Sequence, residues 1–324
     1  DEENLVNHSI KISNICKQIK KSTGIIMIYS QYIDGGVIPV ALALEAMGFK
    51  RRVGNKTKNL FHKDANKSNE NDYKLVIGDD ENKKEYTPHY IMLTGDERYS
   101  PDNVTDLKNL NNENNKNGEK IKVVIISRAA GEGVDFRNLR QVHILEPWYN
   151  LSRTEQIIGR AIRNKSHCGL KFEERNVEIF LHATLNDNQE CADLYLYRYA
   201  SNKAKQIGNV TKVIKENAID CLLKFGQYDD LNARLKIGQS EEISIIRSSG
   251  IEEKIKTQEI RNNVYNNYTS ICDYTDNCEL KCSAELPLET EVHMGTYNID
   301  FAKNNMDGII KRIRVEFKNA PNGL

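Results

Sequence analysis

Three residues on one short stretch are suited to meet a polyanion. Gln156, Arg160 and Arg163 fall at i, i+4 and i+7, which on a helix is a single stripe. Ile157, Ile158, Ala161 and Ile162 fall away from that stripe and can pack on a sheet. Ser152 and Glu155, three apart, read as a capping box that starts the helix. A solvated basic face is the ordinary use of such a pattern. Two arginines and a glutamine, with no acid among them on the stripe, better suit the forked recognition of a polyphosphate.

A second stretch, Ser127 to Phe136 (SRAAGEGVDF), brackets Glu132 between Gly131 and Gly133 and then supplies Asp135. Paired glycines allow a loop's backbone to approach a ligand closely, although a plain glycine turn after a strand would look the same. Polar or aromatic groups also follow four apolar runs: Ser30-Gln31-Tyr32, Thr94-Gly95-Asp96, Ser127-Arg128 and Glu146-Pro147-Trp148-Tyr149. In an open α/β sheet, ligands gather at the carboxyl ends of strands. Four such ends together suggest a working edge.

The elements that must position these groups alternate. Apolar runs at 25–29, 90–93, 121–126, 142–145 and 177–181 suit buried parallel strands, and helical patterns separate several of them. The expected fold is α/β, a parallel sheet flanked by helices. Residues 1–23 read as a helical lead-in or linker, 24–188 as the sheet-bearing lobe, 189–228 as a helical extension broken near Gly208-Asn209, and 229–324 as a C-terminal domain of unassigned fold. Residues 50–88 look like a solvated insertion, and Asn109 to Lys120 (NLNNENNKNGEK) like a mobile low-complexity segment.

With these motifs set out, the chain resembles superfamily 2 helicases in their C-terminal, second RecA-like lobe. QIIGRAIR (156–163) resembles motif VI, SRAAGEGVDF motif V and IIMIYSQYIDGG motif IV, in the usual order. HILEPWYNLSRTEQIIGRAIR and YSQYIDGGVIPVALALEAMGF are more similar still to helicases of nucleocytoplasmic large DNA viruses, related to the poxvirus early transcription factor ATPase. The resemblance covers residues 24 to about 224 and is weak beyond. It implies that Arg160 and Arg163 reach ATP bound on the other lobe, with Gln156 holding that contact. It implies that Gly131, Glu132, Gly133 and Asp135 couple nucleotide to the nucleic-acid track, and that Ser30, Gln31, Thr94, Ser127 and Arg128 touch the backbone of DNA or RNA. ATP and Mg²⁺ would be bound mainly by a P-loop lobe in cis or trans, and viral transcription machinery is an expected partner.

The chain departs from a complete motor. No G-x-x-x-x-G-K-[ST] occurs in it, and no Asp-Glu pair at a strand end offers a Mg²⁺ site. It is therefore expected not to hydrolyse ATP unaided. A competing expectation is a non-catalytic docking module of a transcription or packaging complex, but a dock has no need of paired arginines.

Composition narrows the class without choosing the track. Lys plus Arg (46) equals Asp plus Glu (46) in 324 residues, which argues against a basic-tail binder yet leaves room for a local basic stripe. No run approaches a membrane span or opens as a signal peptide. Cys16, Cys168, Cys191 and Cys221 are scattered as intracellular thiols are, and the expected location is intracellular, in host cytoplasm or virion if viral. The start at Asp1 and the abrupt end suggest a fragment or processed product. Cys272, Cys278, Cys282 and His293 could bind zinc, or the cysteines could be unligated thiols, since C-x5-C-x3-C is not the common knuckle spacing. Trp148 could stack a base or anchor packing. Tyr195, Tyr197 and Tyr199, two apart, offer no stripe. His143 reads as a core histidine, and Lys311, Arg312 and Arg314 as a solvated patch.

Overall fold

The computed structural model describes residues 2–61, 72–77, 83–128, 134–185, 189–221, 242–246, 252–256, 268–270, 272–277, 280–283 and 306–315, with backbone only at 2–3, 242–246 and 252–256. Helices α1 (Glu2–His8) and α2 (Ile10–Lys21) lead into β1 (Ile25–Tyr29). A π-turn at Ile33–Val37 then opens α3 (Ile38–Ala46), followed by β2 (Lys50–Val53) and β3 (Lys56–Thr57). A separate antiparallel pair, β4 (Leu75–Ile77) and β5 (Lys84–Tyr86), precedes β6 (His89–Leu93), α4 (Asn103–Leu110), β7 (Val123–Ile126) and β8 (Leu139–Ile144). Then come α5 (Leu151–Ala161), β9 (Glu178–Leu181), α6 (Ala192–Glu216) and an antiparallel pair, β10 (Glu242–Ile246) with β11 (Glu252–Lys256). Residues 306–315 form a last exposed helix that carries Lys311, Arg312 and Arg314.

Seven strands form one sheet in the order β3-β2-β6-β7-β1-β8-β9. All neighbouring pairs are parallel except β2 with β3. The middle of the sheet is buried on both faces because β6, β7 and β1 are apolar on both. From β1, Ile26 and Ile28 pack with Ile15 and Ile19 of α2 and Leu44 of α3. Ile25, Met27 and Tyr29 face the other way, with Leu110 of α4 and Ile157 and Ala161 of α5. The expected α/β sandwich is present, with α2 and α3 on one face and α4 and α5 on the other.

Three expectations need correction. The presumed insertion does not begin at Lys50: Lys50 pairs with His89 and Arg51 with Tyr90, so β2 belongs to the main sheet. Its cationic sequence hid it, yet Arg51 is buried with its guanidinium donating to the Tyr99 carbonyl, and desolvation lowers its pKa. The Asn-rich stretch is ordered where low complexity suggested mobility. Asn115 is fully buried; its amide donates to the carbonyls of Leu110 and Ile121 and accepts from the N–H groups of Lys120 and Ile121. Finally, α6 runs unbroken through Gly208. A Cβ there would stand 1.6 Å from the Asp273 carbonyl oxygen, so the glycine admits a neighbour and does not end the helix.

That neighbour is the set of described residues 268–270, 272–277 and 280–283, which meets the second half of α6. Lys215 Nζ donates to both carboxylate oxygens of Asp273 at 2.7 Å, and Lys212 Nζ to the Asn277 carbonyl at 3.0 Å. The Ser283 N–H donates to the Glu216 carbonyl at 2.9 Å, and a disulfide joins Cys221 to Cys282. Cys221 is thus not one of the scattered thiols. Among the described residues, no helix is long and apolar enough to cross a membrane.

Candidate functional site

Parallel pairing brings the ends of β6, β7, β1 and β8 to one edge, and every strand-end residue singled out in the sequence lies there. Their exposure divides them. Ser30 is fully buried: its hydroxyl donates to Glu146 Oε1 at 2.8 Å, and Glu146 Oε2 accepts the Gln31 N–H at 3.2 Å. Burial raises the Glu146 carboxyl above its ordinary range, while the Ser30 and Gln31 hydrogen bonds oppose the rise. Gly36 closes over this pair, and a Cβ on it would stand 1.8 Å from Ser30 Oγ. Thr94 is buried too, its hydroxyl 2.7 Å from that of Ser100. Both hydroxyls are thus turned into internal hydrogen bonds at the strand ends where contacts to a nucleic-acid backbone were expected. Ser127 is 2% exposed, and among the described residues its hydroxyl has no hydrogen-bond partner. Gln31 is half-buried and Arg128 exposed, and these two reach the surface of the edge.

The arginine helix is held against the sheet by Ile157 and Ala161, and its N-cap is Asn150, without a side-chain capping bond. The expected capping box is therefore displaced: Ser152 sits inside the first turn. The helix also ends earlier than its pattern suggests. Ala161 is its last residue, Ile162 has left helical geometry and is 54% exposed, and Arg163 follows beyond the end. Gln156 and Arg160 share the exposed face, while Arg163 is brought near by the turn.

Both arginines meet the loop before β8. Arg160 Nη1 donates to the Val134 carbonyl at 3.3 Å, and Arg163 Nη1 donates to the Asp135 carboxylate. The acid missing from the helix stripe is thus supplied across space. Asn111 fixes that loop from α4's end, its amide donating to the Asp135 carbonyl at 2.8 Å and accepting the Arg137 N–H at 3.0 Å. No sequence signal marked Asn111, which lies in the Asn-rich stretch. Gly131, Glu132 and Gly133 lie outside the described residues.

Behind the helix, Arg153 lies 4.2 Å from the Trp148 ring centroid, so one face of the indole is already covered. Tyr149 meets Trp148 edge-on at 5.2 Å. Tyr195 and Tyr199 stack at 6.2 Å on one face of α6, whereas Tyr197 turns inward and donates to the His182 carbonyl at 3.3 Å. Contrary to expectation, the outer two tyrosines do share a face, and their i, i+4 spacing was the available signal. His143 is fully buried as expected, with Nδ1 3.0 Å from His182 Nε2.

Zinc finds no support. Among the described residues, no group of three or more His, Cys, Asp or Glu could hold a metal ion. Cys282 is bonded to Cys221 and Cys272 is also disulfide-bonded, so neither offers a thiolate; Cys278 and His293 lie outside the described residues.

The mostly parallel sheet with helices on both faces has the arrangement of a RecA-like lobe. Residues 89–165, from β6 to just past Arg163, match the family described as the helicase conserved C-terminal domain. The chain is 26% identical over 353 aligned residues to a candidate ATP-dependent RNA helicase of Acanthamoeba polyphaga mimivirus, covering 98% of this chain and 29% of that protein. It is 29% identical over 241 residues to a termination factor NPH-I homolog of African swine fever virus, covering 66% of this chain and 33% of that one. A second candidate ATP-dependent RNA helicase of the mimivirus is 30% identical over 219 residues, 67% of this chain and 33% of its own length. The chain thus spans about a third or less of these relatives. Over residues 89–165 the chain is thus similar to helicase C-terminal domains, and these relatives are viral proteins.

Proposed function

We propose that this lobe works in an ATP-dependent nucleic-acid helicase or translocase of viral transcription, as the partner of a P-loop lobe that binds ATP and Mg²⁺. The observation that carries the reading is the convergence of Arg160 and Arg163 on the 134–135 loop, with both guanidiniums at the surface end of α5. Two forked cations a few residues apart fit a polyphosphate arriving from outside, and Arg163 is only half-covered. ATP would supply the phosphoryl group to be transferred. The role of this chain is to stabilise the charge that spreads over that group, Arg163 as the finger and Arg160 beside it, with Gln156 one turn away. Gln31 and Arg128 would meet the strand's backbone, which needs no base readout.

Without a P-loop sequence, the lobe alone would not turn ATP over. In the complete protein, Arg163→Ala should cut ATP hydrolysis by roughly a hundredfold or more, since arginine fingers contribute on the order of 10³–10⁵ in related enzymes. Turnover within about threefold of the unsubstituted protein would sink the assignment.

A further inference from the structure

A row of rings remains that the phosphoryl chemistry does not use. Trp148 follows β8 at the sheet's working edge, Tyr149 meets it edge-on, and Tyr149 in turn meets Tyr199 edge-on at 6.2 Å. Tyr199 stacks with Tyr195 one turn away, their planes 25° apart. Cations close both ends: Arg153 over Trp148 at 4.2 Å and Arg198 over Tyr195 at 5.5 Å. Tyr149, Tyr195 and Tyr199 are 48%, 48% and 44% exposed. Core packing does not require three neighbouring tyrosines, one before α5 and two on α6, with part of their surface in water.

The charges around the row favour a polyanion. Beside Tyr149 and Tyr199 lies a cleft of about 390 Å³, with Asn150, Ser152, Lys203 and Thr211 in its lining. Two carboxylates also line it, and both are engaged: Glu155 accepts from the Tyr274 hydroxyl, and Asp273 from Lys215. Glu190, the acid beside Arg198, is paired with it at 2.7 Å in an exposed bridge that a phosphate can replace.

We propose that Tyr149, Tyr199 and Tyr195 form a stacking platform for the bases of single-stranded nucleic acid, with Arg198 and Lys203 flanking it toward the phosphates. The proposal rests on the motor reading and deepens it by naming where the strand runs: from the sheet edge outward along α6. Base stacking on aromatic faces tolerates any sequence, and it contributes on the order of tenfold in affinity per stacked base.

The test is fluorescence anisotropy with the complete protein and three labelled chains of about 20 nucleotides: oligo-dT, oligo-rU and an abasic phosphodiester chain of equal length. The Tyr195→Ala/Tyr199→Ala variant should bind the base-bearing strands about tenfold or more weakly and the abasic chain within about twofold of the unsubstituted protein. Tyr195→Phe/Tyr199→Phe, which keeps the rings, should bind all three normally and melt normally. Undiminished binding of base-bearing strands by the alanine variant would overturn the platform and reassign the rings to a protein contact. An equal loss on the abasic chain would overturn stacking as its basis. If the unsubstituted protein bound none of the chains, the motor reading would fall along with the platform.

Discussion

Asp135 accepts a hydrogen bond from Arg163 Nη1, although the two are 28 residues apart and lie on separate elements. The pair is open to water, with side-chain exposures of 67% and 47%. Exposed ion pairs contribute about 0–1 kcal/mol, so the contact orients more than it stabilises. Arg163→Ala and Asp135→Asn should therefore shift the urea-unfolding free energy by no more than about 1 kcal/mol. Arg163→Lys keeps the charge but loses the planar fork, and ATP hydrolysis by the complete protein should stay depressed about tenfold or more. A melt displaced well beyond that range would mean that Arg163 is structural, and loss of turnover would then say nothing about chemistry.

The pair of buried His143 and half-buried His182 gives the fold a sensitivity to acid. Burial pushes His143 down to about 3 and His182 down to about 4, with a smaller push from His182 and Lys11 respectively. Folded values below the unfolded one, about 6.5, mean that the unfolded chain binds more protons as pH falls through that range. Stability should accordingly drop from about pH 6.5 down to about pH 3 for His143 and about pH 4 for His182, by about 2 kcal/mol at pH 5 for His143 and less for the more open His182. Asp106 works the other way. Burial raises it to about 6, so its protonation between pH 7 and 5 returns about 1 kcal/mol. Urea unfolding at pH 7 and pH 5 would measure the balance, and His143→Gln should flatten the slope; an unchanged slope would remove His143 as its source.

Lys122 produces a second slope on the alkaline side. It is fully buried at the amino end of the sheet, donating to the Ser22 carbonyl at 3.0 Å, and burial lowers its pKa to about 7, with Arg140 adding to the shift. The unfolded lysine keeps its proton to about 10.4, so stability rises as pH climbs from 7, by about 2 kcal/mol at pH 9. Lys122→Met removes the titrating group and keeps the stem, and its unfolding free energy should lose that rise. If the variant kept the full rise, the charge would have to be placed elsewhere.

The sequence carried the arrangement of the lobe further than the fine structure of its edge. β1, β6 and β7 were legible because a strand buried on both faces is apolar throughout. β2 was not, because Lys50-Arg51-Arg52 looks solvated until Arg51 finds the Tyr99 carbonyl. Spacing put Arg163 on the helix stripe, but the chain leaves the helix at Ile162, and a carboxylate from another loop meets the arginine. Ser30 and Thr94 were rightly placed at strand ends. Their burial depended on Glu146 and Ser100, partners that local spacing does not reveal. Tyr195 and Tyr199 carried a readable i, i+4 signal, but its outward direction depends on Ala200 and Ala204 turning inward.

Gly208 offers the clearest test of how the 268–283 region is docked. In an exposed helix, Gly→Ala stabilises by about 1 kcal/mol through propensity alone. At position 208 the added Cβ would meet the Asp273 carbonyl oxygen at 1.6 Å and the carbonyl carbon at 2.7 Å, and backbone atoms cannot swing aside as a side chain can. Asp273 is moreover tied to Lys215, and Cys282 to Cys221 a few residues past the end of α6, so displacement would strain two anchors. Gly208→Ala should thus destabilise the protein despite its better helix propensity, by about 1–3 kcal/mol as overpacking does. Hydrogen exchange should quicken at the Cys272 and Thr275 amides, while the Ile28 and Ile125 amides of the sheet stay protected. A variant more stable than the unsubstituted protein, with unchanged exchange at those positions, would show that the region does not rest on α6 at Gly208.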